Sequence, residues 1–484
     1  MAVQMGRTPS TAVTDASFHF RSSRARTTLA LLVSDLVAWG GSAALAVWLA
    51  PLLGVAVERS ELLLSVVGLA LAPLAYAGLD LYPAAGVSRV DEFRRLTLGS
   101  SGVWLVLVAA VAMGQGFADV MPLVATWALA LPAVPVTRGL LRHLYGRRPW
   151  FGVPVVVLGA GRAGALTVRR LQRFHNTGYR PVALFDDDPD LVGTHVHGVP
   201  VVGRLGDAAT YGAQGVRHAI VAIPSLKAEQ VAEVVRGPAG HFPNVILLPE
   251  FAGLASVGVA PRNLGGLVGL HVRQELLRRR NHLLKRALDL ALLVPVGLLA
   301  APIVAITALW VRRVSPGNPF YAQEREGRGG RSFRMWKLRT MHHDADALLE
   351  RHLANDPAAA AEWATRFKLA RDPRILPGIG HLLRKASLDE LPQLWNILRG
   401  EMSFVGPRPF PAYHLDSFDE RFRTLRHAVL PGLTGLWQVD VRAGADLKLQ
   451  EELDTLYIAN WSLWMDVYLI ARTPWAVLRG DGAY

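Results

Sequence analysis

The chain contains no cysteine among its 484 residues. Disulfides, thiolate catalysis and zinc–thiolate sites are thereby excluded, and the absence fits a cytosolic face. Charged residues are scarce at 19%, and acids are scarcer than bases, leaving a formal charge of +13. No repeat of about 20–50 residues is visible, so solenoid and propeller arrays are not expected. No nucleic-acid module accompanies the basic charge, so nucleic acid is not the expected partner. His342, His343 and His352 show no metal-ligand spacing and read as surface residues.

Present instead is apolar sequence, 51% of the chain. Apolar and basic character together point to a membrane protein facing anionic lipid or phosphorylated substrates. Residues 1–28 are polar, carry Arg7, Arg21, Arg24 and Arg26, and are expected to be disordered. Residues 29–140 hold four candidate spans: Leu29–Val57, Leu62–Leu79, Leu96–Gly114 and Val120–Thr137. Asp35 lies within the first and is expected to face another helix of the bundle. Basic residues gather in the N-terminal segment, around Arg89, Arg94 and Arg95, and from Arg138 to Arg148. The other two loops, with Glu58, Arg59, Glu61 and Asp119, lack that excess. Positive charge marks the cytoplasmic side, so both ends of this unit are expected there.

Residues 151–275 read as an α/β domain. A β-branched run, Pro154–Leu158, precedes Gly159-Ala160-Gly161-Arg162-Ala163-Gly164 and a helical stretch to Phe174. A second strand, Pro181–Phe185, ends in Asp186-Asp187-Asp188, and further strands are expected at Ala219–Ile223 and Asn244–Leu248. Strand, GxGxxG, helix, strand and acid form the dinucleotide-binding order. Gly159, Gly161 and Gly164 would admit a pyrophosphate, and Asp186 would meet a ribose. The same glycines also serve a nucleotide-free domain of this Rossmann-like type, which is the favoured reading. No Tyr-x-x-x-Lys pair of short-chain dehydrogenases occurs in this region.

A second membrane element follows. Ala287–Val311 is apolar apart from Asp289 and long enough to span. Both flanks are basic, Lys285-Arg286 and Arg312-Arg313, and Pro295 and Pro302 interrupt it. A crossing here would also put two soluble domains on opposite sides. The expectation is a re-entrant helix over 285–313, broken near Pro302, entering and leaving by the cytoplasmic face.

Polar chemistry concentrates in residues 280–484. Asp389 and Glu390 precede Leu391, Leu394, Trp395 and Leu398, which fall on one helical face. Ser387 and Glu390 have capping-box spacing, and a helix N-terminus favours ionised carboxylates. Such a pair is either an acidic helix cap or a carboxylate nucleophile beside a metal-binding acid. Lys337 and Arg339 would share one strand face; two cations there suit a diphosphate, while a solvated sheet face is the preferred reading without further context. Pro407 and Pro409 hold Arg408 rigidly, which suits bidentate phosphate binding. Arg384 lies five residues before the acids. Asn460–Tyr468 is tryptophan-rich, as an interfacial helix or an amphipathic core helix would be.

These stretches, in order, resemble the bacterial sugar transferases, the monotopic polyprenyl-phosphate phosphoglycosyl transferases. The matching residues are Lys285-Arg286-x-x-Asp289 with Pro302, Pro319-Phe320 with Gln323, Arg325 and Gly327, and Lys337-x-Arg339-Thr340-Met341. Arg371-Asp372-Pro373-Arg374-Ile375, Arg384-Lys385-x-Ser387-x-Asp389-Glu390-Leu391-Pro392-Gln393 and Val405–Pro409 follow. Pro431–Gly435 and Asn460-Trp461-Ser462 complete the series. Ala301 stands where serine is common before Pro302, and Asn318 splits the usual glycine–proline pair. The four spans and the Rossmann-like domain resemble the large form of the family.

The resemblance implies a fold of α plus α/β type. It would comprise a four-helix transmembrane unit, a Rossmann-like domain and a C-terminal monotopic catalytic domain with a re-entrant membrane helix. It implies transfer of a sugar-1-phosphate from a UDP-sugar, glucose or galactose by analogy, to undecaprenyl phosphate, with release of UMP. Exopolysaccharide, capsule or O-antigen units would begin this way, at the cytoplasmic face of the bacterial inner membrane. Asp389 would be the nucleophile and would form a phosphosugar–aspartyl intermediate. Glu390, with Asp389, would hold Mg²⁺. Lys337, Arg339, Arg384 and Arg408 would contact phosphate. NAD is not expected, and a homodimer through the middle domain is among the expected assemblies. The competing reading is a membrane-tethered NAD-dependent sugar-nucleotide epimerase or dehydratase, supported by Gly159–Gly164 alone.

Overall fold

The computed structural model describes residues 9–55, 59–114, 120–173, 177–248, 258–264, 267–273, 276, 279–342, 344–366, 369, 372–411, 415, 418–440 and 447–479. The chain divides into two compact units, Met1–Phe251 and Ala252–Tyr484. Arg7, Val57, Glu58, Asp119, Phe174, His343 and Arg371, used above, lie outside the described residues.

The first unit opens with four helices: α1 (Pro9–Leu49), α2 (Arg59–Gly78), α3 (Arg89–Gly114) and α4 (Met121–Tyr145). Each carries apolar residues on all sides. Trp39, Tyr76, Leu107 and Val134 are buried between helices, while Leu63, Leu105, Val106 and Val136 point outward. A helix apolar all round suits lipid, whose tails solvate the outer face as the core solvates the inner one. By length and composition, Ser23–Leu52, Arg89–Met113, Met121–Tyr145 and Arg280–Val314 can each cross a membrane. The second expected span is helical, but its apolar part, Leu62–Gly78, is shorter than the others.

Asp35 faces the bundle interior, as expected. Arg138 grips it through Nε (2.8 Å) and Nη2 (2.6 Å), and Tyr82 adds a 2.5 Å bond. Glu92 completes the cluster, bonded to Arg138 at 2.9 Å and doubly to Arg142. Buried charges are tolerable only when paired this fully. The segment expected to be disordered is helical from Pro9 onward. Ser23 and Thr27 bond to the backbone of Trp150 and Gly152, which ties the start of the span to the following domain.

That domain begins with β1 (Val153–Leu158), α5 (Arg162–Arg173) and β2 (Tyr179–Phe185), then β3 (His195–Val196) and β4 (Val199–Gly203). After α6 (Ala209–Ala213) come β5 (His218–Val221), α7 (Ala228–Arg236) and β6 (Asn244–Leu247). The sheet order is β3-β4-β2-β1-β5-β6. All neighbours run parallel except β3 and β4, so the sheet is mixed. Every residue of β1 is buried, as a central parallel strand covered on both faces requires.

The second unit starts with the antiparallel hairpin β7 (Gly258–Leu264) and β8 (Leu267–Arg273). The long helix α8 (Arg279–Val314) follows. Pro295 and Pro302 lie inside it and it remains one helix, so the interruption expected near Pro302 is not a helix end. Each proline removes one backbone bond and permits a kink, which the flanking turns span. Both ends of α8 pack on the same unit. Its start is held by Lys285, Arg286 and Asp289, and toward its middle Leu292, Leu293 and Val296 lie against the main core of Ile397, Met402, Val405 and Tyr457. Near its end, Ala308 and Val311 join Leu338, Leu376, Ile379 and Leu383. Between Val296 and Ala308, Leu298, Leu299 and Ile306 are exposed.

An antiparallel pair, β9 (Phe320–Glu326) and β10 (Ser332–Leu338), comes next. Short helices lead to a 3-10 segment, Leu388–Gln393, and the helix Leu394–Arg399. Strands β11 (Ser403–Val405) and β12 (Gly432–Thr434) pair in parallel. The chain closes with helices Leu447–Ala459 and Leu463–Arg479. The helical stripe read from the sequence splits here. Trp395 and Leu398 are exposed, while Gln393, Asn396 and Ile397 are buried. Packing against β10 and α8 selects the more polar face, because Asn396 and the helix-end carbonyls have partners there.

Candidate active site

Strand β10 brings the first cation. Phe333, Met335 and Lys337 alternate as buried residues along it, with Leu338 also buried at its end, so Lys337 shares the face of Phe333 and Met335. The register is fixed on both edges. One edge pairs with β9, placing Lys337 opposite Tyr321. On the other, Asn396 mimics a strand: its Oδ1 accepts from Trp336 N at 3.1 Å and its Nδ2 donates to Arg334 O at 2.8 Å. Asn396 is fully buried, and a third bond to Glu401 satisfies its amide. The asparagine was visible in the sequence beside the acids. Its role was not, since nothing local distinguishes a strand-pairing asparagine from a helical one.

Asp389 and Glu390 sit in the 3-10 segment that packs on β10. Ser387 precedes it in the left-handed region, with φ 53°, and makes no side-chain cap. The expected capping box is therefore absent. Glu390 turns instead to two cations, since charge-assisted bonds outcompete a neutral cap. Lys337 Nζ lies 2.9 Å from Glu390 Oε1 and 3.7 Å from Asp389 Oδ2. Arg408 Nη2 lies 3.0 Å from the same Oε1.

These contacts split the acids. Burial would raise Glu390, but Lys337 and Arg408 overcome it and hold the carboxyl down at about 2. Burial raises Asp389 as well, Lys337 offsets that in part, and the neighbouring Glu390 charge adds to it. Glu390 thus stays ionised, and Asp389 takes the first proton. An anion and a poised carboxylate side by side are what acid pairs with distinct roles show.

The other basic residues separate. Arg384 donates from Nε to Thr340 Oγ1 at 3.0 Å, and its charge acts on Asp389. Arg339 is buried and donates Nη2 to the carbonyls of Ser315 and Pro316. Two of its nitrogens are buried without a partner. Strand alternation placed Lys337 and Arg339 on one face, yet a long guanidinium reaches the unpaired carbonyls where α8 ends. Lys285, Arg286 and Asp289 fix the start of α8. Lys285 bonds to Asp466 at 2.6 Å, and Arg286 caps Ile397 O and Leu398 O at 2.5 and 2.8 Å. Asp289 Oδ1 accepts from Ser403 Oγ and Phe404 N. Tyr457 and Trp461 also donate to Asp466. Asp466 was not singled out from the sequence, being one acid in a tryptophan-rich helix.

In the first unit, Gly159 has φ +102°, and a Cβ on Gly164 would lie 2.0 Å from Gly159 O. Both must be glycine for β1 to turn into α5. Gly161 has open space around it. Asp186 Oδ2 accepts from Ala160 N at 2.6 Å, so the acid after β2 is bonded to the glycine loop itself.

A family profile described as bacterial sugar transferase matches residues 280–480. A second, described as a CoA-binding domain, matches residues 79–249. A UDP-galactose-lipid carrier transferase of Erwinia amylovora is 34% identical over 370 residues, covering 74% of this chain and 75% of the relative. An undecaprenyl-phosphate galactose phosphotransferase of Salmonella typhimurium is 33% identical over 362 residues, with 74% and 75% covered. A UDP-glucose:undecaprenyl-phosphate glucose-1-phosphate transferase of Xanthomonas campestris pv. campestris is 30% identical over 363 residues, with 72% and 71% covered. With its acids, cations and long helix α8 inside the matched region, the chain belongs to the bacterial sugar transferase family.

Proposed function

We propose that this protein transfers a sugar-1-phosphate from a UDP-sugar, UDP-galactose or UDP-glucose, to undecaprenyl phosphate, and so begins exopolysaccharide, capsule or O-antigen units. The observation that carries this is the Asp389–Glu390 pair with Lys337 between them and Arg408 and Arg384 nearby. Asp389 attacks the phosphorus bearing the sugar, the bond to the UMP oxygen breaks, and UMP leaves. The carboxylate then carries the sugar phosphate as an acyl phosphate. A phosphate oxygen of undecaprenyl phosphate attacks the same phosphorus, and Asp389 is released with its electron pair. A covalent intermediate lets a soluble donor and a lipid acceptor use one site in turn.

Two anions must meet at Asp389, so cations have to offset developing charge. Lys337 and Arg408 reach the Glu390 edge of the pair, and Arg408 is the more open of the two. Two adjacent carboxylates are hard oxygen donors, and with substrate phosphate oxygens completing the set they fit a hard divalent cation. Glu390 and Asp389 would hold Mg²⁺ there, where it would neutralise phosphate charge.

The re-entrant reading of α8 is supported by its two tethered ends, Lys285 and Asp289 at one and Ala308 and Val311 at the other, and by the exposed apolar residues Leu298, Leu299 and Ile306 between them. A lipid phosphate then sits at the depth of the site. Trp395 and Leu398, exposed beside Arg286, would dip into the interface on the same side. The basic loops argue for the cytoplasmic face of the inner membrane. The mixed sheet and the glycine loop support the Rossmann-like reading of the middle domain, and the bond from Ala160 N to Asp186 supports a structural use of that loop. An NAD-dependent epimerase rests on the glycine loop alone, and Asp186 bonds that loop.

The test is UMP release from a panel of UDP-sugars with Mg²⁺ and undecaprenyl phosphate. Acceptor-dependent UMP from one donor, lost in Asp389→Asn, is the expected result. Full activity in that variant would overturn Asp389 as nucleophile.

A further inference from the structure

We infer that Arg426, anchored by Asp454, is a positioning residue that aims Arg408 at the acid pair; this deepens the reading of Arg408 as a phosphate contact and rests on it. Arg408 stands between two prolines, so the segment Pro407–Pro409 has a single backbone N–H of its own. Its placement depends on who grips its carbonyls. Two grips are present. Gly432 N donates to Pro407 O at 2.9 Å. Arg426 donates Nη2 to Arg408 O.

The second grip is built to be rigid. Arg426 is 7% exposed and Asp454 3%. Arg426 Nη1 meets Asp454 Oδ2 at 2.5 Å. The guanidinium lies over the ring of Phe410 at 4.5 Å and that of Phe422 at 5.5 Å. A buried ion pair is weak evidence for stability, since desolvation cancels much of the attraction. Its value here is geometric. One planar guanidinium links the helix Glu420–His427, the helix Leu447–Ala459 and the carbonyl of the residue whose side chain touches Glu390. A lysine would have to reach both acceptors from one nitrogen, whereas the guanidinium serves them from two nitrogens fixed in one plane. Neither Arg426 nor Asp454 touches Asp389 or Glu390 in any contact described above, so the pair acts through Arg408.

The experiment is a double-mutant cycle on the full-length protein with Arg408→Ala, Arg426→Lys and both together. It uses the UDP-sugar that the wild type turns over and undecaprenyl phosphate. Arg426→Lys is expected to lower kcat about tenfold or more with KM little changed, as a misplaced group does. Combined with Arg408→Ala, it should add nothing, because the residue it positions is already gone. Wild-type kcat in Arg426→Lys, or losses that multiply in the double variant, would overturn the positioning role alone. A fully active Arg408→Ala would overturn the phosphate reading of Arg408, and the positioning role with it. If Arg426→Lys does not fold, as judged by thermal melting, Asp454→Asn enters the cycle in its place. It unpins one arm of Arg426, and the same non-additivity with Arg408→Ala is expected.

Discussion

The ammonium of Lys337 lies 2.9 Å from Oε1 of Glu390. Asp389 Oδ2 is 3.7 Å from the same nitrogen, so one lysine lowers the proton affinity of both acids. Replacing it with methionine should move both carboxyls upward. A nucleophilic Asp389 must be ionised, so activity falls as pH drops through its raised pKa. The acidic limb of the kcat/KM profile is therefore expected at higher pH in Lys337→Met than in wild type, beside a loss of rate. Lys337→Arg should keep the limb near its original position. An unmoved limb in Lys337→Met would detach this lysine from the pair.

The two acids should act oppositely on stability. Glu390 is held at about 2, below the ordinary value of 4.5. Its contribution is present above the unfolded value and is lost as pH falls toward 2. Asp389 is raised, so its charged form is the disfavoured one. Its folded-state contribution exists below the unfolded pKa and is lost as pH rises through the folded one. Asp389→Asn should accordingly melt above wild type at pH 7–8, and that gap should narrow on acidification as the wild-type carboxyl takes up its proton. Glu390→Gln should melt below wild type over the same range. Thermal melts across pH read both signs, and a lower melting point for Asp389→Asn at pH 8 would contradict the first.

In the helical bundle, Arg138 is 1% exposed and bonds to both Asp35 and Glu92. Removing it strands two buried carboxylates, although Glu92 keeps Arg142. Arg138→Met is expected to destabilise the bundle by about 3–5 kcal/mol, the range for breaking one side of a buried pair. Adding Asp35→Asn should recover part of that loss. Melting in detergent provides the comparison, and additive losses would show that the two do not act as a pair.

How much of this was legible follows from the range of the interactions. The apolar runs that form α1, α3, α4 and α8 were readable because lipid demands continuous hydrophobic length. Strands β1, β2, β5 and β6 were readable from short apolar runs, β1 ending in a glycine and β2 in an acid. The acid pair, Lys337 and Arg408 were readable as local charge patterns. The bonds of Arg339 to Ser315 and Pro316 were not readable, because strand alternation is local and those partners are set by tertiary folding. Ser387 was read as a cap because spacing carries no φ angle. Arg426, Asp454 and Asp466 carried no local mark, since each has its meaning only in a contact between distant segments.

The glycine loop offers a contrast between neighbouring positions. An added Cβ at Gly164 would strike Gly159 O, whereas at Gly161 it meets nothing within 4 Å. Gly164→Ala should unfold the sheet domain or lower its melting point sharply, and Gly161→Ala should shift it by no more than about 0.5 kcal/mol. Asp186 bonds Ala160 N, so added NAD⁺ or NADH is expected to produce no thermal shift in wild type. A shift with NADH that Gly161→Ala abolishes would return the loop to nucleotide binding.

Because the chain has no cysteine, a single introduced thiol reports the path of α8 without background. Arg280 and Arg313, both exposed, flank its apolar length, and Gly297 lies near its middle with open space around it. Arg280→Cys and Arg313→Cys are to be probed with a membrane-impermeant maleimide in spheroplasts and in inverted vesicles. A helix that enters and leaves by one face puts both thiols on the cytoplasmic side. Both should then react in inverted vesicles and neither in spheroplasts, with Gly297→Cys protected in each. A simple span separates them, so one would react in each preparation. The packed ends of α8 favour the first pattern, since Ala308 and Val311 lie in one unit with the partners of Lys285 and Asp289. Carrying the C-terminal end across the membrane would pull Val311 away from Leu376 and Leu383, against the apolar burial that holds that end in place.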